Sequence, residues 1–391
     1  MDNVNSKDIE NYAEKMDEKY SDRGSDKMGY QEFKKEFAEG VEKSFHYKGI
    51  RDIEIENRLV DKVNETYDAL TVKHSGSDVG VNISITDAYD AYITQDASLK
   101  VIATEATAKT AAALENAPAI SSGIDDMKDY DVMKNKLVME VVSSETNAEL
   151  LETIPHKDIE DMAVIYRFDV KDIVGEGATV IVTNKMLDNY GVTPEQLHED
   201  AVKNAPEIRP IVIQGMAEVL AKQMGVEDLD MLGLNIPPEQ EQIFVASVPD
   251  NVHGAGILAY EDFMDKASER VGNQSFFILP SSIHELLIVP DNGMMDLHSL
   301  EQMVKEVNAT TVDPSEKLTD NVYHYDAKDK IFELGGKFVE RQEAKEKGSV
   351  KEAGEKKSLL GELKAAKEEA SKHPEKDVVD KGVKFKGDVA I

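Results

Sequence analysis

Cysteine and tryptophan are both absent from the 391 residues. Without cysteine there is no disulfide framework, no thiolate zinc site and no thiol nucleophile. Positive charge is scarce: 45 Lys+Arg stand against 77 Asp+Glu, a formal charge of −32 at pH 7. A general nucleic-acid binder needs a basic footprint to displace phosphate counterions, so direct nucleic-acid binding by the acidic body is not expected. Long apolar runs are missing as well. Nothing approaches the ~18 uncharged apolar residues of a membrane-spanning helix; the longest runs, such as Ile278–Leu279 and Leu286–Val289, have strand length. The opening stretch, MDNVNSKDIENYAEKMDEKY, carries acids throughout and has no apolar centre, unlike a secretory signal. These absences lead us to expect a cytoplasmic protein with no membrane partner.

What is present suffices for real cores. The hydrophobic share is 41%, above that of disordered chains, and the length accommodates roughly two domains plus tails. Residues 1–27 are polar and read as a frayed helix or a loosely ordered segment. From Tyr30 the pattern changes. Tyr30, Phe33, Phe37 and Val41 recur at helical spacing. Asp52 to Glu56 alternates like a half-buried strand, and Ala69–Val72 and Val79–Ile85 read as two more around a Ser75-Gly76-Ser77-Asp78 turn. The Ala-rich stretch from Ala97 to Asn116 favours helix. Residues 28–120 thus make a small α+β domain.

A second domain spans 121–336. Val138–Val142, Ala163–Val170 and Thr179–Val182 read as strands. Thr193 is placed to cap a helix with Pro194 at its first position and Gln196 three after the cap. Met216, Val219, Leu220 and Met224 mark another helix, stopped by Gly225. Asp228–Gln242 reads as a surface loop, Ile243–Val248 as a strand and Ala255–Val271 as helical. Phe276–Leu279 and Ile283–Val289 form strands around a Pro280-Ser281-Ser282 turn. Leu297, Leu300, Val304 and Val307 stripe one more helix, and Asp313-Pro314-Ser315-Glu316 carries the same start signal. Val322–Tyr325 and Ile331–Leu334 pair over Ala327-Lys328-Asp329, and Gly335-Gly336 closes the body. The fold class is α/β (α+β): a mixed β-sheet body with flanking helices.

The remainder, 337–391, differs in composition. It holds 14 basic and 12 acidic residues, leaving the first 336 with 31 against 65, a charge of −34. Leu359, Leu363, Ala366 and Ala370 form a narrow helical stripe after Ser358, suited to docking on a protein partner; the rest of this flexible tail lacks apolar content and reads as disordered.

Several segments occur in a characteristic order: Ile154-Pro155-His156, Met162 to Phe168 (MAVIYRF), Pro280 to Pro290 (PSSIHELLIVP), Met303 to Asn308 (MVKEVN) and Asp320-Asn321-Val322-Tyr323. This order resembles an uncharacterised bacterial domain-of-unknown-function family of Gram-positive gut anaerobes, often encoded on integrated conjugative elements. The resemblance runs from about Asn135 to Leu334, more loosely back to Tyr30, and brings no catalytic residues. One departure is visible: Val248-Pro249-Asp250-Asn251-Val252-His253 intervenes where members run directly from a strand into Gly-Ala, here Gly254-Ala255.

Candidate chemistry is sparse. Ser282, His284 and Glu285 offer nucleophile, base and acid types, but such a triad must converge in space, and no Gly-x-Ser-x-Gly elbow accompanies them. The alternative is a hairpin turn with polar residues at a strand start. His198-Glu199 and His284-Glu285 begin like a zincin helix, yet Val202 and Ile288 stand where the second histidine belongs. A metal would require His156, His198 and His284 to meet. Gly175-Glu176-Gly177 precedes a strand instead of opening a helix, so no cofactor is expected. Asp61, Glu65 and Asp68 would line one helix face, and Asp125, Asp126, Asp129 and Asp131 form a second cluster; both read as solvated surface or as mimicry of duplex charge. The reading preferred from sequence is a non-catalytic accessory protein of a mobile element that binds a protein partner. A DNA-mimicking inhibitor of host restriction and a hydrolase using Ser282 and His284 are the alternatives.

Overall fold

A computed structural model describes residues 6–24, 26–77, 80–95, 97–115, 126–174, 178–225, 240–348 and 388–390. The chain divides into two compact units, Met1–Lys128 with Asp377–Ile391, and Asp129–Lys376. The mixed α/β class expected from the sequence is what the chain adopts. Among the described residues no helix is long and apolar enough to cross a membrane.

The first unit orders helices α1 (Ser6–Lys19) and α2 (Tyr30–Tyr47), strands β1 (Ile53–Lys62), β2 (Glu65–His74) and β3 (Gly80–Ser84), and helices α3 (Ile85–Thr94) and α4 (Leu99–Glu115). The three strands run antiparallel in the order β1-β2-β3, and a strand at Asp388–Ala390 pairs with β3. Helix α2 buries Tyr30, Phe33, Phe37, Val41 and Phe45, the stripe that its spacing predicts. Gly40 allows a close approach where α2 packs on α4: a Cβ there would sit 3.1 Å from the Ala103 methyl. Of the two readings of the polar N-terminal segment, helix or loose chain, residues Ser6–Lys19 take the helical one. Ala13 and Met16 of α1 are buried in the core of this unit, because an otherwise polar helix still offers one apolar strip. Asp61, Glu65 and Asp68 do not share a helix face; they lie on the β1–β2 hairpin, whose turn holds Asn64 at φ 63°. Asp68 is fully buried and accepts from Lys34, Asn57 and Tyr30.

The second unit carries two antiparallel sheets. In one, β4 (Leu137–Ser143) lies along β6 (Met162–Asp169), whose other edge is shared by β5 (His156–Ile159) and β7 (Thr179–Ile181). Helix α5 (Pro194–Ile208) packs on β4 and starts as predicted: Thr193 Oγ1 accepts the Gln196 N–H at 3.2 Å. The other sheet has six strands, β8 (Val212–Gly215), β9 (Phe244–Ser247), β10 (Phe276–Ser282), β11 (Glu285–Pro290), β12 (Tyr323–Asp326) and β13 (Ile331–Leu334), in the order β13-β12-β10-β11-β9-β8. Helix α6 (Met216–Gln223) follows β8, α7 (Phe263–Arg270) follows a 3-10 turn at Gly254–Ala259, and α8 (Leu297–Thr310) packs on β10.

Three local expectations in this unit need correction. The hairpin turn is Ile283-His284, not Pro280 to Ser282: Ser282 pairs with Glu285, so β10 runs on past the proline. Asp313 to Glu316 starts no helix. The Leu318 and Ile283 amides bond to Ser281 and Glu316 carbonyls, and this pairing across to β10 pulls the segment into a turn held by Asp313. Gly335-Gly336 does not end the body but opens helix α9 (Gly335–Gly348). Phe338 on α9 stacks 3.6 Å from the His324 ring, and Arg341 bridges Asp326 and Glu333, so the first residues assigned to the tail are anchored.

Phe37 is fully buried among aromatic and aliphatic neighbours. Phe37→Ala should therefore lower the stability of the first unit by about 3–5 kcal/mol, measured by urea denaturation. A loss below about 1 kcal/mol would contradict the packing described.

Candidate functional site

An acid in the middle of a buried strand defines the first site. Glu140 on β4 is 1% exposed and lies on the same sheet face as Arg167 of β6. Arg167 donates through Nε to Glu140 and through Nη1 to Thr179 Oγ1 at 3.1 Å. On the other side, His253 Nδ1 stands 2.7 Å from Glu140 Oε1. Reaching it requires a tight backbone. His253 adopts φ 54°, ψ 32°, and the next turn approaches at backbone contact. A Cβ on Gly254 would lie 2.0 Å from Ser247 Oγ, and one on Gly256 2.1 Å from Met139 O. Burial alone would raise the carboxyl pKa of Glu140; the charges and hydrogen bonds of Arg167 and His253 outweigh it and hold the value at about 2. The carboxylate is thus ionised and anchored from both sides.

His284 stands next to this pair, the two rings 5.6 Å apart. Its Nδ1 accepts the backbone N–H of His253 at 3.2 Å, and its Nε2 lies 3.4 Å from Glu316 Oε1. The hydrogen-bond pattern assigns the ring proton to Nε2. Ser282 Oγ accepts the backbone N–H of His284 at 3.0 Å and is not bonded to the imidazole. Glu285 lies opposite Ser282 in the β10–β11 pairing. Ser282 and His284 are therefore neighbours whose side chains have separate partners, and no Ser–His proton relay is formed between them.

The three histidines proposed as metal ligands each have their own surroundings. His156 Nδ1 is 3.1 Å from the Ile154 carbonyl. His198 lies between the Tyr166 hydroxyl and the Lys157 ammonium, each at 2.9 Å, and burial together with the Lys157 charge lowers its pKa. Among the described residues no group of three His, Asp or Glu side chains is placed to hold a metal ion. Leu359, Leu363, Ala366 and Ala370 lie outside the described residues.

A second feature is a cleft of about 680 Å³ lined by residues of α7 and of the six-stranded sheet. Ile211, Ile213, Phe244 and Pro290 form its floor, with Lys266, Glu269 and Arg270 of α7 on one wall. Among the described residues β8 pairs only with β9. Met216 N–H bonds to Ile243 O, which sets the alternation of the β8–β9 ladder and turns the main-chain groups of Ile213 outward. Residue-type patterns did not single out Glu140, Arg167, His253 or Arg270. One signal was available for Glu140: an acid flanked by apolar residues in VMEVV has to find a counter-charge when the strand is buried.

Fold and site together define an α/β protein with a buried ion-pair network and, among the described residues, an outer strand β8 paired on one edge only. A family model described as a family of unknown function (DUF5688) matches residues 30–327. The chain belongs to that family, in agreement with the resemblance carried by its motifs. No curated protein and no solved structure matches it.

Glu140→Gln should cost about 3–5 kcal/mol, because the half-buried Arg167 loses its counter-charge. The folded pKa of Glu140 lies below its ordinary 4.5, so its stabilising contribution is present above about pH 4.5 and is lost as pH falls towards 2. Urea midpoints measured across that range should fall less steeply in the variant than in the wild type; parallel curves would refute the assignment.

Proposed function

We propose that the protein is a non-catalytic, cytoplasmic accessory protein of a mobile genetic element, acting by binding a protein partner through its α/β body, with the Leu359–Ala370 stripe as a second contact. One observation carries the proposal: among the described residues β8 has a partner on one edge only, leaving the other for strand addition, a common mode of peptide capture. The reactive side chains support it from the other direction, since both ring nitrogens of His284 and the hydroxyl of Ser282 face partners inside the protein. A hydrolase built on Ser282 and His284 has less support for the same reason. Duplex mimicry rests on the charge of −34 over the first 336 residues, but Asp68, Glu140, Asp326 and Glu333 spend theirs on internal ion pairs or hydrogen bonds.

The test is site-specific photo-crosslinking in the native host, with benzoylphenylalanine at Ile213, at Leu359 and at the exposed control Lys203. We expect one partner to be captured from Ile213 and Leu359 and not from Lys203, and capture to weaken on deletion of 349–391. Capture at none of these positions, or competition by duplex DNA at low salt for a basic host enzyme, would overturn the reading.

A further inference from the structure

The cleft beside β8 combines apolar lining residues with Arg270, a cation that forms no direct ion pair among the described residues. Ile211 and Ile213 are half-buried there, with Phe244, Val271 and Pro290 beneath and beside them. The Arg270 guanidinium stands 4.9 Å over the Phe244 ring, a cation–π placement that leaves its N–H groups free to point along the ring plane. The other charges of the cleft are spent or solvated. Lys266 pairs with Asp262 at 2.7 Å. Glu241 lies by the start of α6, where burial raises its pKa against the lowering influence of the backbone there and of Arg270. Its carboxylate also lies close over Gly215: a Cβ there would come 2.5 Å from its Oε2. Glu269 is exposed to water. Among the described residues Arg270 forms no direct ion pair, although Glu241 feels its charge.

We propose that this cleft binds a small apolar carboxylate. The carboxylate would meet Arg270 in the two-pronged geometry that a guanidinium favours. The hydrocarbon part would cover Ile211, Ile213 and Phe244. The volume of about 680 Å³ lies in the range of small-molecule sites. The overall charge of −32 opposes an anion only over a screening distance of roughly 8 Å at physiological salt, so the local balance around Arg270 decides. The proposal goes beyond partner binding and does not depend on it.

The experiment follows backbone amide resonances of the full chain on addition of decanoate, decylamine, decanol and an acetylated Leu-Glu dipeptide amide. Decanoate should give saturable shifts at Ile213, Phe244 and Gly272, with the amine and the alcohol much weaker. Arg270→Gln should weaken decanoate roughly tenfold or more, the scale of one lost charge-assisted hydrogen bond. Arg270→Lys, which keeps the charge but loses the fork, should fall between the two. Equal binding of acid, amine and alcohol, preference for the amine, binding of the peptide alone, no saturation by decanoate, or unchanged decanoate binding in both variants would each overturn the proposal.

Discussion

The carboxylate of Glu140 is the constraint around which the second unit is arranged. A buried charge of this kind costs several kcal/mol unless it is met by opposite charge and hydrogen bonds. Here the two answers come from different parts of the chain. Arg167 arrives on the neighbouring strand of the same sheet, while His253 is brought by a loop that immediately precedes the 3-10 turn. The second answer ties the two sheets together. The His253 backbone bonds to His284 of the β10–β11 turn, and Ser247 of β9 donates to the His284 carbonyl. Two glycines, Gly254 and Gly256, allow the connecting backbone to pass at distances that no side chain would permit. The left-handed conformation of His253 is a local cost, of order 1 kcal/mol or more, sustained by these surrounding contacts.

Much of the architecture was legible from periodicity and capping. The α2 stripe, the cap at Thr193, the strands around Val138–Val142 and Ala163–Val170 and the 322–334 hairpin appear where the residue pattern puts them, because in each the local signal and the burial agree. Three of the failures share one cause: a tertiary contact overrode a local preference. The start signal at Asp313-Pro314 was overridden by backbone bonds to β10. The Gly335-Gly336 stop was overridden because Gly335 fits against Leu297 and the Val322 carbonyl, where a Cβ would come within 2.4 Å of a Leu297 methyl. The polar first helix was held by Ala13 and Met16, with Tyr12 packed beside them against Tyr30, too few apolar positions to stand out in the sequence.

The site was legible only in part for a related reason. A catalytic or binding constellation joins residues distant in sequence, and spacing rules see only neighbours. His284 could be singled out, but His253 and Glu140 lie 31 and 144 positions away from it, and no periodicity links them. Arg270 was invisible for the opposite reason: on the sequence it is an ordinary basic residue in the last turn of a helix, well placed against the helix dipole. Only the ring of Phe244 beneath it distinguishes it.

An open sheet edge ordinarily invites aggregation, and the form of β8 bears on how this one is used. The strand is four residues long, preceded by Pro210 and ended by Gly215. Short length and a neighbouring proline both restrict indiscriminate pairing. With one ladder edge turned outward and half-buried isoleucines beside it, β8 offers few main-chain bonds, so any strand docking there must gain its affinity from side chains placed in the adjacent cleft. For a strand docked at this edge, selectivity would come from the side chains of Ile211, Ile213, Phe244 and Arg270, not from the backbone, which is alike in every strand.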